Sequence, residues 1–464
     1  MKNNPLAIII FGATGDLYQK KLAPAFFHLF AAGLLPENFT LTGFGRKQFT
    51  VAEYQALTRT ALQSKLPNLD ASKLEAFLTH VSYLIGNIEE AESYHALKTY
   101  LETPHTGQLV CTNRLFYLAT PPTLYEKIFR NLAHADLVVD CDREQEVWTR
   151  VLVEKPFGSN EGEAMRLDKL LGQLFDESQV FRIDHYLAKE ALQNIFTFRF
   201  ANAIFEPLWN SKHIERIEIK LHEKGDLTGR YNFYDGVGAL RDVGQNHMLQ
   251  MLALVAMEDP KSLRAEAVRT ERARVLKRLR LWNRNLTESV FRAQYSQYEL
   301  ENTKPSQTDT FFRLKLRVKN RKWDDVLFDL ESGKGLAHDK TEIKVIFRDL
   351  ESAVCRDAIN CTYNNTITFT IQPEHKIKIS FWFKKPGLGL EIAEQEFAYT
   401  YDMDVPLNDA YEKVLHDCIQ GDQTLFPSTQ EVMLQWALIA DIEKQWAKLP
   451  LVKYERGVEP KDIK

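Results

Sequence analysis

Positive charge is not in excess in this sequence of 464 residues: 59 Lys and Arg stand against 63 Asp and Glu, for a formal net charge of −4. That excludes the plain signature of a nucleic-acid binder, which is a basic excess or a basic patch. The most basic stretch, "RTERARVLKRLRLW" at 269–282, carries its charges at helical spacing and reads as a solvated helix face. Long apolar runs are missing as well. None approaches the ~18 residues that a membrane span needs, so no membrane partner is expected. The five cysteines, Cys111, Cys141, Cys355, Cys361 and Cys418, are scattered. No two show CxxC spacing with nearby His, so neither a zinc site nor a disulfide framework is indicated, and a reducing cytoplasm is the expected compartment. The start has no signal-peptide organisation, so no leader is expected.

What is present is ample apolar material: 44% of residues are hydrophobic and 11% aromatic, enough for a large core. At roughly 150 residues per domain, the length suggests two to three domains.

"LAIIIFGATGDLYQKKLAPAFFHLFAAGLLP", 6–36, reads as strand, glycine turn and helix. Leu6 to Phe11 is a continuous apolar run, as a parallel strand covered on both faces requires. Leu22, Phe26, Leu29 and Phe30 then recur at helical spacing, and Gly33 ends the helix. A glycine turn between a buried strand and a helix offers free backbone N–H groups to a pyrophosphate. The motif is GxxG rather than the full GxGxxG, and a purely structural turn is the alternative. A second strand, 39–50, ends in Arg46 and Lys47, cations that suit a 2′-phosphate and so favour NADP over NAD. Further strands are expected at 114–122 and 150–158. In an open α/β sheet ligands lie at the carboxyl ends of the strands, so Gly12, Arg46, Thr120 and Lys155 should share one edge. A helix at 160–175 leads into "VFRIDHYLAKE", 180–190, a crowded polar run at the end of another strand.

The chain resembles the glucose-6-phosphate dehydrogenase family over essentially its full length. The segments "FGATGDLYQKKLAP", "NRLFYLATPP", "VEKPFG", "RIDHYLAKE", "FRFANAIFEPLWN", "FYDGVGALRDVGQNHMLQ", "FRAQY", "SGK" and "GDQTLFPSTQEV" carry the likeness in the family's order. The resemblance implies oxidation of glucose 6-phosphate at C1 to 6-phosphoglucono-1,5-lactone, with hydride passing to NADP, NAD being the weaker option. It implies His247 as general base, with Asp184 pairing to it. It places Lys155, His185, Tyr186, Lys189, Glu223, Asp242 and Lys334 on the substrate. Gly12, Ala13, Thr14, Gly15, Asp16, Leu17, Lys21, Arg46, Tyr117 and Lys155 would face the cofactor, and no metal is required. Elementary chemistry agrees: hydride leaves C1 only as its hydroxyl loses a proton, and histidine titrates near neutrality. His185 and Lys189, four apart, would share a face if this run is helical. A constrained proline against the cofactor implies a cis bond at Lys155–Pro156. Taken alone, His247 would read as a core histidine, Glu223 as a strand-end acid and Lys334 as a loop lysine. Their roles rest on the resemblance.

Departures from the family's pattern are Asp339 and Glu331, where cations are usual, "GDLTGR" at 225–230, Tyr18 in place of a small residue, and a long 133–148 connection. The two acids lead us to expect weaker phosphate binding. Another aldose or aldose phosphate, or a silent NADP-binding paralogue, stays open. Beyond about residue 190 alternating segments such as "IERIEIKLHE", "FFRLKLRVK" and "KIKISFWFKKP" predict a large, mainly antiparallel sheet, with helices near 239–257, 260–280, 408–420 and 428–447. The expected architecture is an α/β Rossmann-type domain, 1–184, followed by an α+β substrate and dimerisation domain, 185–464, and the resemblance implies a homodimer or a dimer of dimers.

Overall fold

The computed structural model describes residues 4–103, 112–138, 147–283, 285–299, 305–349, 363–401, 409–446 and 448–464. Half of the long connection at 133–148, residues 139–146, lies outside the described residues. The chain divides into two compact units: Met1–Ala188 with Asn408–Thr429, and Lys189–Leu407 with Gln430–Lys464.

In the first unit, strands β1 (Leu6–Phe11), β2 (Phe39–Gly45), β3 (Val81–Ile85), β4 (Asn113–Leu118), β5 (Thr149–Val153) and β6 (Val180–Arg182) form a parallel sheet in the order 3-2-1-4-5-6. β1 pairs with both β2 and β4, and all six of its residues are buried, as the apolar run predicts. "VSYLI", which becomes β3, is not among the expected strands; its apolar run is short and it lies at the sheet edge. Tyr18, an awkward substitute on the sequence pattern, is fully buried instead. Its hydroxyl pairs with Thr58 (2.9 Å), and its ring stacks on Tyr54.

A single cut near residue 184 leaves out the return of Asn408–Thr429 to this unit. Val414, Leu415, Cys418, Ile419 and Phe426 are buried in the same core as β1 and β4. Arg150 on β5 donates to the carbonyls of Cys418 (2.7 Å) and Ile419 (2.8 Å), closing the C-terminus of helix Ala410–Gln420. This apolar face and these last-turn carbonyls tie the segment to a sheet more than 250 residues earlier in the chain.

In the second unit the predicted strands are present as β7 (Ile214–His222), β10 (Phe311–Val318), β12 (Lys340–Phe347), β13 (Thr366–Gln372) and β14 (Lys376–Lys384). They are joined by β8 (Leu279–Leu281), β9 (Val290–Tyr295), β11 (Leu327–Gly333), β15 (Ile392–Thr400) and β16 (Val452–Tyr454). The order is 15-14-13-12-7-11-10-9-16, with β8 on β10. Pairing is mostly antiparallel, but β7 runs parallel to β11 and β9 to β16. The basic stretch at 269–282 is not simply a solvated face. Arg269 and Arg272 are buried, and Arg272 meets the fully buried Glu431 at 2.7 Å. Among the described residues, no helix is long and apolar enough to cross a membrane.

One charged junction fastens this sheet to the C-terminal segment. Glu331 on β11 faces Arg313 in direct register on β10, accepting from its Nε at 2.5 Å, and also meets Nε2 of His222 on β7 at 2.9 Å. Arg313 in turn donates to the carbonyls of Pro460 and Ile463. Burial raises the Glu331 carboxyl, but His222 and Arg313 outweigh it and hold the carboxyl down at about 2, against an ordinary 4.5. A depressed carboxylate stabilises the fold above its ordinary value and loses that contribution as pH falls. Glu331→Gln should therefore cost about 1–3 kcal/mol at neutral pH, a deficit that shrinks as pH falls from about 4.5 toward 2. Denaturant unfolding checks this; an equal deficit at both ends of that range would show that the charge is not responsible.

Candidate active site

The parallel sheet brings the predicted residues of the first unit to its carboxyl edge. Gly12 follows β1, Arg46 follows β2, Thr120 lies two residues past β4, Lys155 two past β5 and Asp184 two past β6. The Ala119 N–H donates to Phe11 O (2.9 Å) and Ile183 N–H to Val153 O (2.9 Å), so the turns continue the strand register. Gly12 has φ +84°, and a Cβ there would meet Ala119 O at 2.3 Å. Only glycine fits this turn. Gly15 and Asp16 are exposed, and Thr14 and Leu17 are half-buried. Asp16 pairs with Lys20 at 2.5 Å. Lys21 is half exposed and pairs with Asp409 at 2.9 Å, a partner from the returning segment that the sequence does not suggest. Arg46 and Lys47 are both exposed.

Two expected cofactor contacts are corrected. Tyr117 is fully inaccessible inside β4, and its hydroxyl donates to Glu154 Oε1 at 2.5 Å. It braces the residue before Lys155 instead of facing a ligand. Ala13 is buried, with its carbonyl accepting from the Tyr54 hydroxyl at 3.2 Å. Burial raises the Glu154 carboxyl above the usual range, offset in part by Tyr117 and Lys155. The Lys155–Pro156 bond is cis, as expected.

The end of β6 is anchored by Arg182. Its guanidinium is buried, pairs with Glu177 (3.0 Å) and Asp168 (3.4 Å), and donates to Thr429 Oγ1 (2.7 Å). Asp184, two residues on, is buried and accepts from the Tyr186 N–H at 3.0 Å. Residues 185–188 form a turn, not a helix, so the shared helical face for His185 and Lys189 does not exist. Asp184 accepting from the backbone two residues on favours the turn over the helix. His185 and Tyr186 are half-buried, and the His185 ring lies parallel to Tyr411 at 6.3 Å. Lys189 caps helix Glu190–Phe200 in the second unit.

The second unit assembles its predicted residues around one buried cation. Because β7 and β11 run parallel, Glu223 and Lys334 leave their strands side by side; the Glu223 N–H donates to Gly333 O at 2.9 Å. The Lys334 ammonium pairs with Glu223 and, at 3.0 Å, with Asp242. The Tyr234 ring, absent from the sequence expectations, lies 5.5 Å from that ammonium. Burial pulls the Lys334 pKa down, but Asp242 and Glu223 outweigh it, and the group is held above its ordinary value. Asp242 and His247 sit in a π-helical segment, Leu240–Met248, that continues as helix Leu249–Ala256. Hydrogen bonding from i to i+5 brings residues five apart to the same side, where α-helical spacing would splay them. His247 is buried, and its N–H donates to Asn246 Oδ1 at 2.6 Å.

The two unexpected acids are both engaged. Asp339 accepts from the Lys224 N–H at 2.8 Å, and Glu331 is held by Arg313 and His222. Lys340, which the sequence offers as a substitute cation, pairs with Glu342 at 2.6 Å.

Comparison with known proteins bears on the family and the fold. Residues 9–194 match the model of the glucose-6-phosphate dehydrogenase NAD binding domain, and 196–463 match that of the C-terminal domain. Glucose-6-phosphate 1-dehydrogenase of Borreliella burgdorferi is 36% identical, covering 98% of this chain and 95% of that protein. The Chlamydia muridarum protein of the same name is 36% identical over 96% and 91%. A solved glucose-6-phosphate dehydrogenase in complex with its substrate glucose-6-phosphate superposes with a TM-score of 0.90 at 31% identity, covering 99% of this chain and 96% of that one. The Mycobacterium avium glucose-6-phosphate 1-dehydrogenase gives 0.84 at 27%, over 98% and 95%. The chain belongs to the glucose-6-phosphate dehydrogenase family.

Proposed function

We propose that this protein oxidises glucose 6-phosphate at C1 to 6-phosphoglucono-1,5-lactone, using NADP, with NAD as a weaker substitute. The observation that carries the reading is the cluster of Glu223, Asp242 and Lys334 on one side of the π-helical segment that holds His247. In this reading the carboxylates accept from sugar hydroxyls and Lys334 screens them from each other. The residues fit the cofactor: the turn at Gly12 is closed to any side chain, and the cations Arg46 and Lys47 are exposed at the end of β2. Gly12, Thr14 to Leu17, Lys21, Arg46 and Lys155 would hold it, while Tyr117 and Ala13 offer no exposed side-chain contact. When bound, NADP supplies the hydride acceptor.

His247 takes the C1 hydroxyl proton as C1 becomes a carbonyl, and Asp184 is assigned to orient the imidazole and stabilise its protonated form. His185, Tyr186 and Lys189 are assigned to the phosphate, where charge-assisted bonds remote from C1 position it for reaction. The pairing of Glu331 with Arg313 and His222 leaves no bare negative charge at that position, which favours glucose 6-phosphate over an unphosphorylated sugar. We further assign a homodimer. Phe381, Phe383, Phe397 and Tyr399 are exposed together on β14 and the edge strand β15, an apolar face of the kind that marks an interface. The free thiol of Cys418 suits a reducing cytoplasm, the compartment we assign.

NADPH formation at 340 nm with glucose 6-phosphate and NADP tests the reaction; none at millimolar substrate would sink it. His247→Asn should lower kcat by roughly 10²–10⁴-fold with KM nearly unchanged, and a small effect would remove His247 as the base. Arg46→Ala should weaken NADP by about 10–100-fold and NAD far less, as loss of a bond to a charged group predicts; equal effects on both cofactors would take Arg46 off the 2′-phosphate. Phe397→Asp should shift the sedimentation coefficient from dimer to monomer, and an unchanged dimer would place the interface elsewhere.

A further inference from the structure

We propose that Asp309 is a positioning residue for the reaction: its ionised carboxylate anchors the first turn of the helical segment that carries Asp242 and His247 to Trp446, and so sets the orientation of the base. The inference rests on the reading of His247 given above.

Asp309 is buried, two residues before β10. Its Oδ2 accepts from the Leu240 N–H at 3.2 Å, the first residue of the π-helical segment. Its Oδ1 accepts from the Trp446 indole N–H at 3.2 Å, at the end of helix Thr429–Trp446. Its carbonyl accepts from the Ala239 N–H (3.0 Å) and the Tyr234 hydroxyl (3.1 Å). Gly238 has φ +77°, and a Cβ there would meet Asp309 Oδ1 at 2.5 Å, so the chain leading into the helix is built around this carboxylate. A carboxylate at a helix N-terminus also meets the positive end of the helix dipole.

Both oxygens face N–H donors, and only the ionised form offers two acceptors. A protonated acid must turn its O–H toward one donor or give up that bond. Burial raises the carboxyl from an ordinary 3.8 to about 6. The charged and titratable groups that act on it are Arg292 on β9, Tyr234, and Tyr454 on β16. Arg292 spends its hydrogen bonds on the Leu449 carbonyl and supplies only distant charge. Stability and function then run in opposite directions with pH. A raised carboxyl favours folding in its protonated form, so this group's contribution falls as pH rises from about 3.8 to 6, while the two-point anchor forms over the upper part of that range. A buried charge that costs stability where it is ionised is expected where geometry for chemistry is being held.

Two readouts separate this inference from the reading it rests on. In the unliganded full chain, tryptophan emission, corrected by a Trp446→Phe variant, should titrate with a midpoint near pH 6, and Asp309→Asn should abolish that transition. The amide of that variant supplies one acceptor and turns a donor toward the other N–H, fixing the low-pH arrangement. Asp309→Asn should lower kcat about tenfold at about pH 8, keep KM for glucose 6-phosphate within about threefold, and remove the component of the kcat acid limb near 6. Trp446→Phe takes away one donor, so the same limb should move to higher pH. A flat wild-type emission profile, or an Asp309→Asn enzyme with wild-type kcat and an unshifted acid limb, overturns the proposal. An active His247→Asn enzyme sinks the base assignment instead, and leaves the emission transition in place.

Discussion

The Lys334 ammonium has been taken out of water, and an isolated buried charge of that kind is not tolerated. It is met by two carboxylates, Glu223 from the end of β7 and Asp242 from the π-helical segment, while the lysine leaves the end of β11. Three elements must therefore end at one place. The β7–β11 pairing is parallel in a sheet that is otherwise mostly antiparallel, and this is what allows both residues to emerge from the same edge. An antiparallel register would send Glu223 and Lys334 to opposite ends.

The same requirement recurs at other points. Arg272 is answered by Glu431, Arg182 by Glu177 and Asp168, and Arg199 by Glu206 and three backbone carbonyls. Pairs of this kind add little net stability over apolar packing, but removing one partner is costly because the other charge is left buried. They act as registry pins. Arg182 holds the end of β6 from which Asp184 projects, and Arg150 holds the helix that returns from residue 410.

Much of this is legible in the chain. The apolar run at Leu6–Phe11, the glycine turn and the alternating segments of the second unit put most strands in their correct places. What is not legible has physical causes. β11, "LFDLESG", has its alternation blurred by Glu331 and Ser332, polar residues that are half-buried and buried because partners meet them. Arg272 looks solvated because helical spacing says nothing about a glutamate 159 residues later. The DHY run reads as the start of a helix because a one-dimensional pattern does not show Asp184 capping its own turn. Asp242 and His247, five apart, give no signal at α-helical spacing, and the local helix is π.

The acids at 331 and 339 show most clearly how counting charge along a sequence misleads. Glu331 reads as a cation lost from the phosphate side. In the sheet it lies directly opposite Arg313, so the position holds a pair, not a bare negative charge, and the pair binds the C-terminal segment through Pro460 and Ile463. Asp339 reads as a repulsive group, yet one of its oxygens closes the loop at Lys224. An anion paired with a cation, as Glu331 is with Arg313, acts on a more distant phosphate as a dipole, and its influence falls off much faster than that of a free charge, whereas Asp339, held by a neutral N–H, keeps its full negative charge. The nearby cation Lys340 is compensated by Glu342 on the same grounds. Of the two substitutions, Glu331 therefore adds less repulsion than its formal charge suggests. They supply no attraction either, which is why the turn carrying His185 and Tyr186, with Lys189 beyond it, bears the larger share of the phosphate in the reading proposed above.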